Sequence, residues 1–371
     1  MDRSNDRISE YLVPHLKDYL FDELSDSYLE KAGILDIMKG VEVPIHAQDM
    51  KGMTVLKIAK NMAFVMGCDP SFRYVDNYIA YILRNFDIRF SDALLSEGLD
   101  AADKRDYDYA CIMFRASMLI NPDNANAYYC YGRACKDAYE LGEEEEYIGR
   151  FKAESLEAFE IATIKDPKLV DAFYFLGYAY VNMGLYIKTK LTWEEYVKLV
   201  EEKLAEPGID ALRRADAENT LKEIRERLET LEIPCKIEEG YNLILSGRYE
   251  EGIKALEIYK GSRYKDWWPL YFYLGVAYMS IAEDHENETG AVDEIALTAY
   301  EEAIKNYLEV LKYSPSNEDA ITKLAVLYRK TGDTEKANKF ENKLEVVKNN
   351  QELDRQLAEE NRKIEKGIKL N

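Results

Sequence analysis

Histidine and tryptophan each occur three times in this chain of 371 residues, cysteine five times and proline nine times. The histidines, His15, His46 and His285, stand far apart and no HExxH occurs, so the ligand set of a zincin-type zinc site is missing. The five cysteines, Cys68, Cys111, Cys130, Cys135 and Cys235, are odd in number and scattered, whereas a disulfide-held secreted scaffold needs dense pairs. They are expected to be reduced, buried thiols of a cytoplasmic protein. Cys130 and Cys135 would stand about 140° apart around a helix, so they do not converge on one metal ion. Neither a GxxxxGK loop nor a GxGxxG after a strand is present, which removes the usual phosphate cradles. No catalytic residue, no metal and no cofactor is expected.

Long apolar runs are missing too. No stretch approaches the ~18 uninterrupted apolar residues of a spanning helix. The opening MDRSNDRISEYLVPHLKDYLFDEL lacks the apolar centre of a signal peptide. On that reading the sequon Asn287-Glu288-Thr289 carries no sugar. Positive charge is scarce: 49 Lys and Arg against 70 Asp and Glu leave a net charge of −21, with no basic cluster to attract nucleic-acid phosphate or an anionic membrane. The partners expected are proteins or peptides, with no nucleic acid and no membrane. What the chain does have is 47% apolar residues, 12% of the total being aromatic, which is enough for a large core and excludes wholesale disorder. At roughly 100 to 200 residues per domain the length fits two or three domains or one long repeat array.

Internal repetition favours the array. Gly132 follows Gly98 by 34 residues, and Gly98 is itself followed at +12 by Ala110, at +16 by Phe114 and at +24 by Pro122. After Gly132 the same series arrives 11 residues late, as Phe159, Ala162 and Pro167, with LGEEEEYIGR in the delay; either the helices are lengthened there or an acidic loop joins them. VDAFYFLGYAYVNMGLY puts Gly177 at 45 residues from Gly132, with Tyr180, Gly184 and Tyr186 in step. Weaker units centre on Gly240, on Gly275 with a 16-residue insertion, and on Ala325. This layout resembles the tetratricopeptide repeat, a helix-turn-helix with small residues where its two helices cross. The resemblance implies an all-α fold, an α-solenoid of helix pairs over residues 91–345 with essentially no sheet. Ser117, Ser155 and Thr189 depart from it, standing where alanine is usual. Apolar spacings of 3 and 4, with Gly and Pro between the periodic stretches, agree independently.

Residues 1–90 lack the repeat and read as helices, YLVPHLKDYLFDEL and TVLKIAKNMAFVMG among them, around the loop GVEVPIHAQDMKG. They are expected to form an N-terminal helical cap for the solenoid or a small helical domain. Residues 346–371 form a charged tail. From Thr334 to Lys366 no Pro or Gly interrupts one helix, which is expected to dock through Phe340, Leu344 and Val347 and then to project, with Leu353, Leu357 and Ile364 too few for a coiled-coil seam. A monomer follows. The acidic run Glu283-Asp284-His285-Glu286 alternates oxygen ligands, but its glycine, Gly290, comes one place late for a calcium loop, so it reads as a solvated insertion, as does Glu143 to Glu146.

Tyrosine, at 29 against 12 Phe, suits both half-buried helix faces and recognition surfaces. In the array that the sequence resembles, residues three before, one after and four after each crossing glycine line the concave groove. The resemblance thus implies a partner-binding face of Tyr129, Arg133, Lys136, Tyr174, Tyr178, Tyr241, Phe272, Val276 and Met279, with further contributions from Leu99 and Val326. Arg133 and Lys136 make a cationic spot. No asparagine follows the crossing glycines, so the family's clamp for a C-terminal carboxylate is not expected. The reading is a non-catalytic scaffold that holds a peptide or partner helix in the concave groove. Two alternatives stand beside it: a peptide-sensing regulatory switch, and an enzyme subunit with a site around His46, Asp49 and Cys68. The chain's own insertions covering part of the groove is a further expectation.

Overall fold

The computed structural model describes residues 6–47, 53–289 and 291–368. The chain forms two compact units, Met1–Leu228 and Glu229–Asn371.

The first unit opens with α1 (Ser9–Leu12), a 3-10 segment Val13–Asp18, β1 (Tyr19–Glu23), α2 (Asp26–Ala32), α3 (Leu35–Met38), β2 (Glu42–His46), α4 (Val55–Cys68) and α5 (Val75–Phe86). The helical reading of YLVPHLKDYLFDEL fails here. Pro14 sits in the first turn of the 3-10 segment, and the chain then extends into β1, which pairs antiparallel with β2 from Tyr19 opposite His46 to Glu23 opposite Glu42. The strand is made by its partner, which lies well downstream in sequence where a local period cannot register it. Two polar anchors hold the pair: Asn61 Nδ2 on α4 donates to the Pro44 carbonyl at 3.2 Å, and the Tyr78 hydroxyl on α5 donates to the Glu42 carbonyl at 2.6 Å.

Helix pairs follow: α6 (Phe90–Asp103) with α7 (Tyr107–Ile120), α8 (Ala125–Leu141) with α9 (Glu145–Lys165), and α10 (Val170–Asn182) with α11 (Tyr186–Ala205); α12 (Ala211–Thr230) then adds an unpaired helix. Their starts are written locally. Asp106 and Asn124 cap α7 and α8 by accepting backbone N–H bonds, from Tyr109 and from Asn126 and Ala127. The 11-residue delay of the second pair lengthens both its helices, to 17 and 21 residues, and Gly142–Glu144 suffices as the turn. One apolar core runs from Ile8 to Ala172, so residues 6–90 and the first two pairs bury their faces against each other.

The second unit is three more pairs: α13 (Glu232–Leu245) with α14 (Tyr249–Glu257), α15 (Trp268–Thr289) with α16 (Glu294–Tyr313), and α17 (Glu318–Lys330) with α18 (Thr334–Ile368). Its cores centre on Ile237, Leu256 and Leu274, and on Tyr300, Tyr307 and Leu324. On α18, Ala337 is fully buried and the Phe340 ring stacks on Tyr328 at 5.6 Å. Lys348, Asn349, Asn350 and Leu353 are exposed, and the side chains expected at Leu357 and Ile364 lie outside the described ones. The acidic run from Glu283 belongs to α15: Glu286 accepts bonds from the Tyr300 hydroxyl at 2.5 Å and Lys330 Nζ at 2.6 Å, and His285 Nε2 lies 2.8 Å from Asp293.

In five of the six pairs the helices are placed by the missing side chain at the crossing. A Cβ on Gly98 would come within 2.5 Å of Phe114, on Gly132 within 2.8 Å of Phe159, on Gly177 within 2.0 Å of Trp193, on Gly240 within 2.7 Å of Leu256 and on Gly275 within 2.9 Å of Tyr307. Each opposing residue is the +16 position once insertions are subtracted. The hydroxyls that stand in alanine places are satisfied without leaving the crossing: Ser155 Oγ donates to the Gly132 carbonyl at 2.8 Å and Ser117 Oγ to the Ser91 carbonyl at 2.9 Å. A second regularity lies at +7, where the turn takes a left-handed conformation at Gly184, Gly247 and Gly332 (φ 73°, 79° and 84°); in the first pair a non-glycine residue, Arg105, adopts it at φ 62°.

Candidate functional site

The first helices of the pairs, α6, α8 and α10 in the first unit, carry the face that the repeat register selects. On α8, Arg133 follows the crossing glycine and its guanidinium lies over the Phe175 ring at 4.2 Å from the centroid, with Nη1 donating to the Tyr129 hydroxyl at 3.2 Å. The Tyr129 ring is 6.1 Å from Phe175 and 6.2 Å from Phe159, and burial raises its hydroxyl above the ordinary tyrosine value. Among the described residues Arg133 makes no ion pair. Lys136, one turn further on, is 2.5 Å from Glu140 and 3.7 Å from Asp137. Its charge is answered within α8, so the cationic spot reduces to Arg133.

On α10, Tyr174 and Tyr178 are in edge contact at 5.0 Å; Tyr178 also meets the buried Trp193 at 5.0 Å and Tyr174 meets Tyr196 at 5.6 Å. Neither stands free. The Tyr178 hydroxyl donates to Glu223 of α12, and Arg227, also of α12, lies 5.0 Å over the Tyr178 ring while donating to Glu223 at 3.0 Å. The hydroxyl bond from Tyr178 and the Arg227 guanidinium hold the Glu223 carboxyl below the usual carboxylate range. The chain's own inserted helix thus covers part of the third pair.

In the second unit Tyr241 stacks on Tyr273 at 3.8 Å, Phe272 meets Tyr307 edge-on at 5.6 Å, and Val276 is half-buried. Met279 is 7% exposed and belongs to the core with Tyr300 and Tyr307, so it offers little to a partner. Exposed apolar side chains at the equivalent positions are Leu99 on α6 (45%) and Val326 on α17 (41%). The structure brings Tyr129 together with Arg133, Tyr174 with Tyr178, and Phe272 with Val276 and Met279; the first four belong to one unit and Tyr241, Phe272, Val276 and Met279 to the other.

Phe175 falls outside the residues that the register selects. It stands two places before Gly177 and reaches back to Arg133, one place after Gly132. Tyr273, two places before Gly275, reaches back to Tyr241, one place after Gly240, in the same manner. This recurring pair of offsets is a signal present in the sequence; Glu223 and Arg227, supplied by a helix outside the repeat, leave none.

His46 lies on β2 with its ring edge-on to Tyr19 at 5.0 Å, Cys68 is fully buried at the end of α4 with its thiol pushed up to about 12 by burial, and Asp49 lies outside the described residues. All five cysteines are free thiols; Cys135 lies 3.8 Å from Cys111 and away from Cys130, which is half-buried. Among the described residues no group of three or more His, Cys, Asp and Glu is placed to hold a metal ion, and no helix is long and apolar enough to cross a membrane.

Helix pairs joined by short turns, with glycine against an aromatic or leucine at five of the six crossings and a left-handed turn at +7 in four of the pairs, have the geometry of tetratricopeptide-like repeats. No family model matches the chain. The heat-shock protein cognate (HSC) co-chaperone sgt12 of Aspergillus fumigatus is 33% identical over 145 residues, which is 39% of this chain and 38% of that protein. Among solved structures, MamA residues 41 to the end from Desulfovibrio magneticus RS-1 is 15% identical, covering 61% of this chain and 96% of that one with a TM-score of 0.30. The IFIT1 monomeric mutant is 14% identical over 91% of this chain and 65% of that one, with a TM-score of 0.33. At such scores these two likenesses carry no argument about function.

Proposed function

We propose that this chain is a non-catalytic interaction scaffold that holds an extended peptide or partner helix along the first-helix face of the first unit, with Arg133 receiving an acidic group of the ligand. The observation that carries the reading is the pre-oriented guanidinium: Phe175 supports its face, Tyr129 holds one end, and no carboxylate of the described residues neutralises it. A planar cation fixed in this way loses little freedom when it takes a carboxylate in two parallel bonds. The net charge of −21 slows the approach of acidic ligands, so the site discriminates at contact rather than by steering. A relative named as a co-chaperone suits a protein partner.

Arg133→Gln in the full chain tests this. A pull-down compared by mass spectrometry should show a partner that wild type retains and the variant loses, and a fluorescent peptide from that partner should bind the variant at least ten-fold more weakly, about 1.4 kcal/mol. Equal binding by a folded Arg133→Gln variant removes the assignment. Tyr178→Ala is a poorer handle, because that ring also supports Trp193 and Glu223.

A second reading, the peptide-sensing switch, is favoured by α12 alone. Glu223 and Arg227 occupy Tyr178 on the same face, so a ligand reaching the third pair must displace them. Glu223→Ala with Arg227→Ala should then tighten peptide binding. Unchanged affinity in that double variant leaves the plain scaffold.

A further inference from the structure

We infer that the second unit carries a separate docking groove for an amphipathic helix whose apolar face is flanked by Lys and Arg, seated on α15 and α16 where α14 ends early. The second helix of each repeat normally supplies packing for the first helix of the next. Here α14 has nine residues, about 14 Å at 1.5 Å per residue, against 22 in α15 and 20 in α16, about 30 Å or more. The 16-residue insertion lengthened the fifth pair without lengthening α14. α14 stops at Glu257; burial first, and then the charges of Glu257 and Glu302, raise the Tyr278 hydroxyl above the ordinary tyrosine value.

Beside that end lies an open groove of about 470 Å³ with a floor of Tyr278, Ile281, Ile295 and Ala299 and a rim of Glu294 and Glu302. Ile295, in the first turn of α16, is 59% exposed, a large apolar side chain turned to water. Among the described residues Glu294 makes no ion pair, and Glu302 has only Lys305 at 2.6 Å, three residues along the same helix. A pair so exposed contributes little and yields readily to a new cation. The floor offers no backbone edge, so an extended ligand would bury amide groups unpaired, whereas a helix brings its own hydrogen bonds satisfied. An apolar floor between carboxylates therefore selects a helix with apolar residues at i, i+3 and i+4 bordered by Lys or Arg.

The test uses the full chain and an 18-residue fluorescent Leu/Lys peptide patterned as an amphipathic helix, read by anisotropy. A scrambled peptide of identical composition and a Leu/Glu peptide of the same pattern serve as controls. The patterned Leu/Lys peptide is expected to bind, with affinity falling at least ten-fold in Thr298→Trp, which fills the groove without changing charge, and in Ile295→Ser. Both positions are exposed, so the fold survives. Glu294→Gln with Glu302→Gln should weaken binding and flatten its salt dependence. The inference is overturned if the patterned peptide does not bind, if the scrambled peptide binds as well, or if Thr298→Trp and Ile295→Ser bind like wild type, since attraction would then belong to the acidic chain at large.

Discussion

Gly177→Ala is the sharpest probe of the register. The new methyl would lie 2.0 Å from Trp193 Nε1, 2.3 Å from Cδ1 and 2.6 Å from Cε2. Carbon contacts settle near 3.5 to 4.0 Å, so the indole must retreat by about 1.5 Å. It has nowhere to go: Trp193 is 1% exposed, its ring edge rests on Tyr178 at 5.0 Å, and Nε1 donates to the Tyr174 carbonyl at 3.3 Å. Overpacking of this kind costs about 3 kcal/mol, and losing the indole bond adds about 1 kcal/mol. Alanine's helix propensity returns up to about 1 kcal/mol, leaving a net loss of about 3 kcal/mol. Gly149→Ala is the control, since nothing lies within 4 Å of its Cβ position in α9, and should be neutral or stabilising by about 0.5 to 1 kcal/mol. Urea titration followed by circular dichroism reads both. In a double-mutant cycle, Gly177→Ala with Trp193→Leu should cost about 2 kcal/mol less than the sum of the single changes. A Gly177→Ala variant within about 0.5 kcal/mol of wild type, or an additive cycle, refutes the close crossing.

Two further outcomes are expected. Arg105→Gly should raise stability by about 0.5 to 1 kcal/mol, because Arg105 holds the left-handed turn position, φ 62°, that glycine fills in three other pairs; thermal unfolding checks it, and a destabilised variant would mean that the arginine side chain outweighs its backbone cost. Iodoacetamide at pH 8 should leave Cys68 and Cys135 unmodified in the native chain, since burial raises both thiols, Cys68 to about 12, and leaves no thiolate. Folded thiols stay protonated where unfolded ones, near 9, ionise, so their contribution is whole below about pH 9 and is lost as pH rises from 9 towards 12. Rapid native labelling at Cys68, or rising stability over that range, would contradict the burial.

Much of this protein is legible in its amino-acid order alone. The small residue at Gly98, Gly132, Gly177, Gly240 and Gly275 and the bulky residue sixteen places later, once the insertions after Gly132 and Gly275 are subtracted, form a local, periodic signal, because each pair of helices is built from contiguous chain and its crossing needs one missing side chain. The positions of Arg133, Tyr174 and Tyr178 follow from counting along that period. The β1/β2 pair does not follow, since a strand is defined by a partner elsewhere in the chain and YLVPHLKDYLFDEL scans equally well as a helix. Nor does the neutralisation of Lys136 by Glu140, the support of Arg133 by Phe175 or the seating of Glu223 and Arg227 on Tyr178. Period determines which face a residue occupies; whether that face is open, paired or covered depends on what the rest of the chain brings to it, and only packing in three dimensions decides that.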